Sequence, residues 1–124
     1  MPIVRSDDAP AYDLTPIIAR AISQPKIGAT EVMSALVTFG GGSRIAEHTH
    51  DHEEVLHVLE GSLEMLLDGE RTTLEPGDTA IIPAGTRHEP SVGDDGHARA
   101  ITIMPAGTVR VDLEGGRSPM PWSD

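Results

Sequence analysis

Cysteine is absent from this 124-residue chain, so disulfide cross-links, a thiolate nucleophile, Cys-based zinc sites and iron–sulfur clusters are all excluded. Any metal must sit on nitrogen and oxygen. Basic residues are scarce: nine Lys and Arg stand against twenty Asp and Glu, a formal charge of −11. Phosphate-binding surfaces need clustered cations, so the balance argues against nucleic acid and anionic membranes as partners. The acidity is read as a source of solubility. No stretch approaches the ~20 apolar residues that cross a bilayer. The opening Met1-Pro2-Ile3-Val4-Arg5-Ser6-Asp7-Asp8 lacks the apolar region of a signal peptide, and a cytoplasmic location is the expectation. The length suits a single domain with one packed core.

What the chain does have is punctuation. Thirteen glycines and ten prolines separate short apolar runs without sustained helical periodicity, which predicts an all-β fold. Residues 31–39 alternate, placing Met33, Ala35, Val37 and Phe39 on one face. Gly40-Gly41-Gly42-Ser43 then reads as a turn, since it lacks the ending of a phosphate loop. Strands are predicted at 55–59, 63–67, 71–74, 79–82, 98–104 and 108–113, with another opening at His88. Asp68-Gly69 supplies a hairpin turn. Residues 17–22 are read as a strand, because an isolated two-turn helix is marginal. The Pro-rich tail around Ser118-Pro119-Met120-Pro121-Trp122 is expected to lie extended over the surface, with Trp122 a packing anchor.

Histidine supplies the chemistry. Four of the six (His48, His50, His52 and His57) fall within ten residues, and His88 follows alone. Imidazole nitrogen and carboxylate oxygen suit first-row divalent metals. His48 and His50, at i and i+2 of a strand, point to the same side. Glu54 shares their parity, but a regular strand would carry it ~13 Å beyond His50. Metal bonds of roughly 2.0–2.2 Å cannot span that gap. The chain must therefore turn between His50 and Glu54, leaving His52 near the tip of the bend.

The run from Gly42 through His48, His50 and Glu54 to Gly61 fits G-x5-H-x-H-x3-E-x6-G at every fixed position. Gly77, Pro83, Gly85 and His88 fit G-x5-P-x-G-x2-H. These resemble the two motifs of the cupin superfamily, and the 15 residues between Gly61 and Gly77 resemble the short spacer of small microbial cupins. One position departs: Val92 stands where the second motif usually closes with Asn, at the expected pocket rim. The resemblance implies a jelly-roll β-barrel spanning residues 1–124 as one cupin domain. Its motifs would lie at 42–61 and 77–92, a strand arm at 1–30 and the extended tail at 114–124. It also implies one divalent transition metal ion (Fe, Mn, Ni or Zn) on His48, His50, Glu54 and His88, and a homodimer formed through sheet contacts.

The other histidines receive plainer readings. His52 is an alternative ligand to His50 or Glu54, although a rim position is preferred. His57 lies at odd parity to Glu54 and should face away from the ion. His97, beside Gly96 and Asp94-Asp95, is read as an exposed loop residue. Glu47 and Glu53 are expected to be solvated, and Met33, Met65 and Met104 to fill the core. The Met33 to Phe39 stripe, Leu56 and Val58 would line an apolar cavity with few independent acids or bases, in a chain with only three aromatics. Chemistry would then rest on the metal and on Glu54, which in a catalytic role accepts a substrate proton. The leading expectation is a dioxygenase-like, metal-dependent oxidoreductase acting on a small molecule. The alternatives are a metal-dependent isomerase or lyase, and a non-catalytic small-molecule-binding cupin.

Overall fold

The alternation at residues 31–39 is realised as one eight-residue strand of the computed structural model, which describes residues 1–124. In chain order the strands are β1 (Ala11–Leu14), β2 (Ile17–Ser23), β3 (Val32–Phe39), β4 (His48–His50), β5 (Glu54–Gly61) and β6 (Leu63–Leu67). There follow β7 (Glu70–Leu74), β8 (Thr79–Ile82), β9 (His88–Ser91), β10 (Ala98–Pro105), β11 (Val109–Asp112) and β12 (Arg117–Pro119). Helix is limited to single 3₁₀ turns at Ser6–Asp8 and Pro25–Ile27, and no helix is long and apolar enough to cross a membrane.

The strands form two antiparallel six-stranded sheets, ordered β1-β2-β3-β10-β5-β8 and β12-β11-β4-β9-β6-β7. From β3 to β6, and again from β8 to β11, each successive strand crosses to the other sheet. This is the jelly-roll arrangement. Each crossing needs a sharp bend, and Gly61 shows the constraint. Its φ is +71°, and an added Cβ would stand 2.0 Å from the His97 carbonyl oxygen. Between β6 and β7 the chain stays in one sheet. Leu67 faces Glu70 across a two-residue turn, Asp68 and Gly69, both at positive φ as a type I′ hairpin requires.

The core lies between the sheets and follows strand parity. Met33, Ala35, Val37 and Phe39 are buried from β3, Leu56 and Val58 from β5, and Leu63 and Met65 from β6. Met104 is buried at the end of β10. Burying a side chain of this size contributes about 1.5–3 kcal/mol each. Alanines cluster on the inner face of the first sheet, at 19, 21, 35, 98 and 100. Their small volumes leave space that leucine would fill, and a cavity of about 250 Å³ opens beside Ala19 and Ala100.

The tail differs from the extended surface segment expected of it. Only β12 is extended, hydrogen-bonded to β11 at the sheet edge. Beyond it the chain turns inward, and Trp122 joins the core cluster at 5% exposure, closing one wall of the cavity with Met120. Fully buried Gln24 holds it there. Its amide donates to the carbonyls of Trp122 and Asp124 at 3.3 and 3.2 Å, and to the Tyr12 hydroxyl at 3.0 Å.

Candidate metal centre

Two adjacent strands of the second sheet bring the separated motifs together. β4 pairs with β9 so that His48 stands opposite His88, and His50 shares the inward face two residues along. The Gly85 amide donates to the His50 carbonyl at 2.9 Å, tying the turn before His88 to the first motif. Residues 51–53 then carry the chain across to the first sheet, where Glu54 opens β5 and faces the histidines. The turn demanded by the spacing is thus a change of sheet.

All four side chains are buried. Ring centroids lie 4.8 Å apart for His48 and His50, 4.3 Å for His48 and His88, and 5.1 Å for His50 and His88. One ring nitrogen from each histidine falls within 4.8 Å of the others. Glu54 Oε1 lies 3.4 Å from His50 Nε2 and 3.2 Å from His88 Nε2. Two donors about 2.1 Å from one ion stand ~3.0 Å apart in octahedral and ~3.4 Å apart in tetrahedral geometry. The carboxylate–imidazole separations match that range.

Hydrogen bonds set the tautomers. His48 Nδ1 lies 2.7 Å from the Ala46 carbonyl and His88 Nδ1 2.9 Å from the Thr86 carbonyl. A carbonyl only accepts, so each Nδ1 carries a proton, and in the neutral ring Nε2 presents a lone pair inward. His50 Nδ1 and His88 Nε2 are buried without a well-directed hydrogen bond. Orphaned nitrogen in a buried nest of imidazoles beside a carboxylate is chemistry that fits a divalent cation. The cluster can hold one ion.

The electrostatics agree. Burial first, then the nearby charge of His88, pulls the pKa of His48 down from 6.5 to about 4, so the ring is neutral at physiological pH. Burial alone would raise Glu54, but the hydrogen-bonding contacts and charges of His50 and His88 outweigh it. The carboxyl is held well below its usual range and is ionised at neutral pH. Burial opposes protonation of His88 too, yet adjacent Glu54 and the Thr86 carbonyl win, and its pKa is raised. In the metal-free protein a proton therefore competes with a cation for this nitrogen.

The remaining histidines lie elsewhere. His52 is exposed at the bend, its Nδ1 3.0 Å from Asp51 Oδ1. His57 faces outward against the Thr79 hydroxyl at 2.8 Å. His97 is exposed, and Glu47 pairs with Arg87 at 2.9 Å. Two expectations about the cavity need correction. Val92 packs in the core and does not line the cavity, so the departure from Asn leaves its walls unchanged. Of the β3 stripe and the β5 pair, Val37, Phe39 and Leu56 line the cavity, whereas Met33, Ala35 and Val58 lie in the core beyond it.

Sequence reasoning also missed two polar walls. The Thr102 hydroxyl donates to Glu54 Oε2, fixing the carboxylate from behind. Its signal was present: Thr102 is the one polar residue on the inward face Ala98, Ala100, Thr102, Met104. Arg110 gave none, because Val109 and Val111 on either side make its own face ambiguous. Only the register places it, opposite His50 and at the cavity wall.

Comparison with known proteins agrees with this geometry. A family model described as "Cupin domain" matches residues 35–104. "Polyketide synthase CurC" of Streptomyces cyaneus is 41% identical over 71 residues, 56% of this chain and 46% of that protein. Quercetin 2,3-dioxygenase of Bacillus subtilis is 50% identical over 54 residues, 43% of this chain and 16% of that enzyme. The chain thus spans less than half the length of either relative. Protein SchB of Streptomyces halstedii matches more broadly, at 32% identity over 90% of this chain and 82% of its own. Among solved structures, the polyketide cyclase RemF from Streptomyces resistomycificus superposes with a TM-score of 0.82 at 20% identity, covering 99% of this chain and 89% of the other. With the family model spanning more than half of its residues, over the strands that carry the histidine cluster, this chain belongs to the cupin family.

Proposed function

We propose that the protein is a mononuclear metal-dependent oxidoreductase of dioxygenase type, acting on a small, largely apolar enol or diketone-like compound. His48, His50, Glu54 and His88 are its ligand set. The observation that carries this reading is the convergence of three buried imidazoles, two with tautomers fixed by backbone carbonyls, at one end of a mostly apolar cavity. Similarity to a quercetin dioxygenase supports the reaction class. Fe, Mn, Ni and Zn all suit this donor set, and the bound ion would supply Lewis acidity and open coordination positions for substrate or dioxygen.

The chain's own groups divide the remaining work. Apolar walls at Phe39, Leu56 and Trp122 hold the substrate and exclude bulk water. Glu54 is ionised and so able to accept a substrate proton. Its Oε1 faces the cluster and would be the oxygen that holds the ion, so it could accept a proton only on loosening from it, while Oε2 is held by the Thr102 hydroxyl. Loading with Fe(II), offering enols and following oxygen uptake tests the proposal. Absence of uptake with any of them argues against it.

Similarity to the polyketide synthase protein CurC favours a second reading, in which the same ion serves as Lewis acid for oxygen-independent isomerase or lyase chemistry. Turnover under strict anaerobiosis separates the two. A non-catalytic binding role is the third reading, and would return a tightly bound ligand unchanged after long incubation.

The proposed assembly is a homodimer through the outer face of the first sheet. Ile103, Val55 and Ile81 stand side by side there across three strands, with Ile101 and Leu36 in the next row. Ile81 is 66% exposed, and Ile81→Glu should shift sedimentation toward monomer.

A further inference from the structure

One cation in the cavity wall, Arg110, stands outside the proposed ligand set. Arg110 lies directly opposite His50 in the β4–β11 pairing, so the two side chains leave the sheet on the same inner face. Two hydrogen bonds clamp the strand beside it. The Val109 amide donates to Asp51 Oδ1 at 2.8 Å, and the Asp51 amide donates to the Val109 carbonyl at 3.2 Å. Within the side chain, only Nε is engaged, donating to Asp112 Oδ1 at 3.2 Å. Both terminal guanidinium nitrogens are left without a protein acceptor. Arg110 is half-buried, and it shares the cavity lining with the histidine cluster and Glu54 as well as with the apolar side chains of Phe39, Leu56, Met120 and Trp122.

We infer that the cavity selects a mostly apolar molecule carrying one carboxylate, which the terminal nitrogens of Arg110 hold while the apolar body lies against Phe39, Leu56 and Trp122. The planar guanidinium fork matches a carboxylate in two-point contact, and low-dielectric walls strengthen such a bond relative to water. The charge of the whole protein sharpens the point. At −11 the surface repels anions at long range, so an anionic ligand enters because a local cation selects it. The inference rests on the proposed ligand cavity and not on the ion.

The test uses metal-free protein with 2-naphthoate and its neutral methyl ester. Trp122 is the only tryptophan and lines the cavity, so its fluorescence reports occupancy, with calorimetry as a second measure. The wild-type protein should bind the acid at least about tenfold more tightly than the ester. Arg110→Met should remove that preference and leave ester binding in place, and Arg110→Lys should retain part of it. Equal binding of acid and ester, a preference that survives Arg110→Met, or failure of both probes to bind at millimolar concentration overturns the inference. The wild-type comparison needs no variant, so a misfolded Arg110→Met does not obscure it. An acid preference in a protein that consumes no oxygen supports the Arg110 assignment while counting against the dioxygenase reading. Oxygen uptake without that preference does the reverse.

Discussion

Replacing Thr102 with valine isolates the group behind the proposed ligand Glu54. The exchange swaps one hydroxyl for a methyl of similar size at a site only 4% exposed, so packing with Leu56 and Ala35, its cross-strand neighbours, is retained. What is lost is the bond to Glu54 Oε2, a hydrogen bond to a buried ionised carboxylate. Such bonds contribute about 1.5–3 kcal/mol, and at ~1.4 kcal/mol per factor of ten that corresponds to a ~10- to 150-fold change in affinity. Groups that orient metal ligands typically account for about 10- to 100-fold, in agreement. Competition against a chromophoric chelator for Zn(II) or Ni(II) should show Thr102→Val weaker by that factor, with Thr102→Ser restoring most of it. Circular dichroism should be unchanged. Wild-type affinity in a folded Thr102→Val protein would refute the reasoning, because Glu54 would then be either not a ligand or not positioned by this hydroxyl.

The other predictions concern pH and the cavity walls. His48 has its pKa lowered from 6.5 to about 4, so its contribution to stability is complete above pH 6.5 and lost as pH falls toward 4. Glu54, lowered from 4.5, acts in the same direction at lower pH, whereas raised His88 contributes below pH 6.5 and loses that contribution as pH rises. Protons should displace the ion across the same acidic window. Elemental analysis of protein equilibrated from pH 8 to 4 checks this, and full occupancy at pH 4 would contradict the ligand set. Ala100→Leu, at a buried position beside the cavity, should weaken 2-naphthoate binding about tenfold or more while leaving Tm unchanged or raised, since the added methylenes fill existing space. Trp122→Phe should change stability little, because it removes a buried indole N–H that has no partner. Trp122→Ala should lower stability by about 3–5 kcal/mol in denaturant titration.

The strands and the histidine cluster were legible because their signals are local. Parity along residues 31–39 and at 48, 50 and 54 depends only on the two-residue repeat of an extended chain, and the contour argument alone forced a turn before Glu54. Thr102 was legible in principle, as a polar residue interrupting an apolar face. Arg110, the inward turn of the tail and the core position of Val92 were not. Each depends on which strand lies alongside and in what register, and a strand flanked by apolar residues on both faces does not declare its own inside.

The sequence by itself determined the all-β character, the turn positions and the family. It also determined which side chains could share a face, because alternation and backbone freedom are properties of neighbouring residues. Tertiary structure alone decided that Glu54 meets the histidines from the opposite sheet, that Arg110 stands across from His50, and that Trp122 closes the cavity. Those contacts join residues far apart in the chain, and their existence follows from sheet pairing, which no short stretch of sequence encodes.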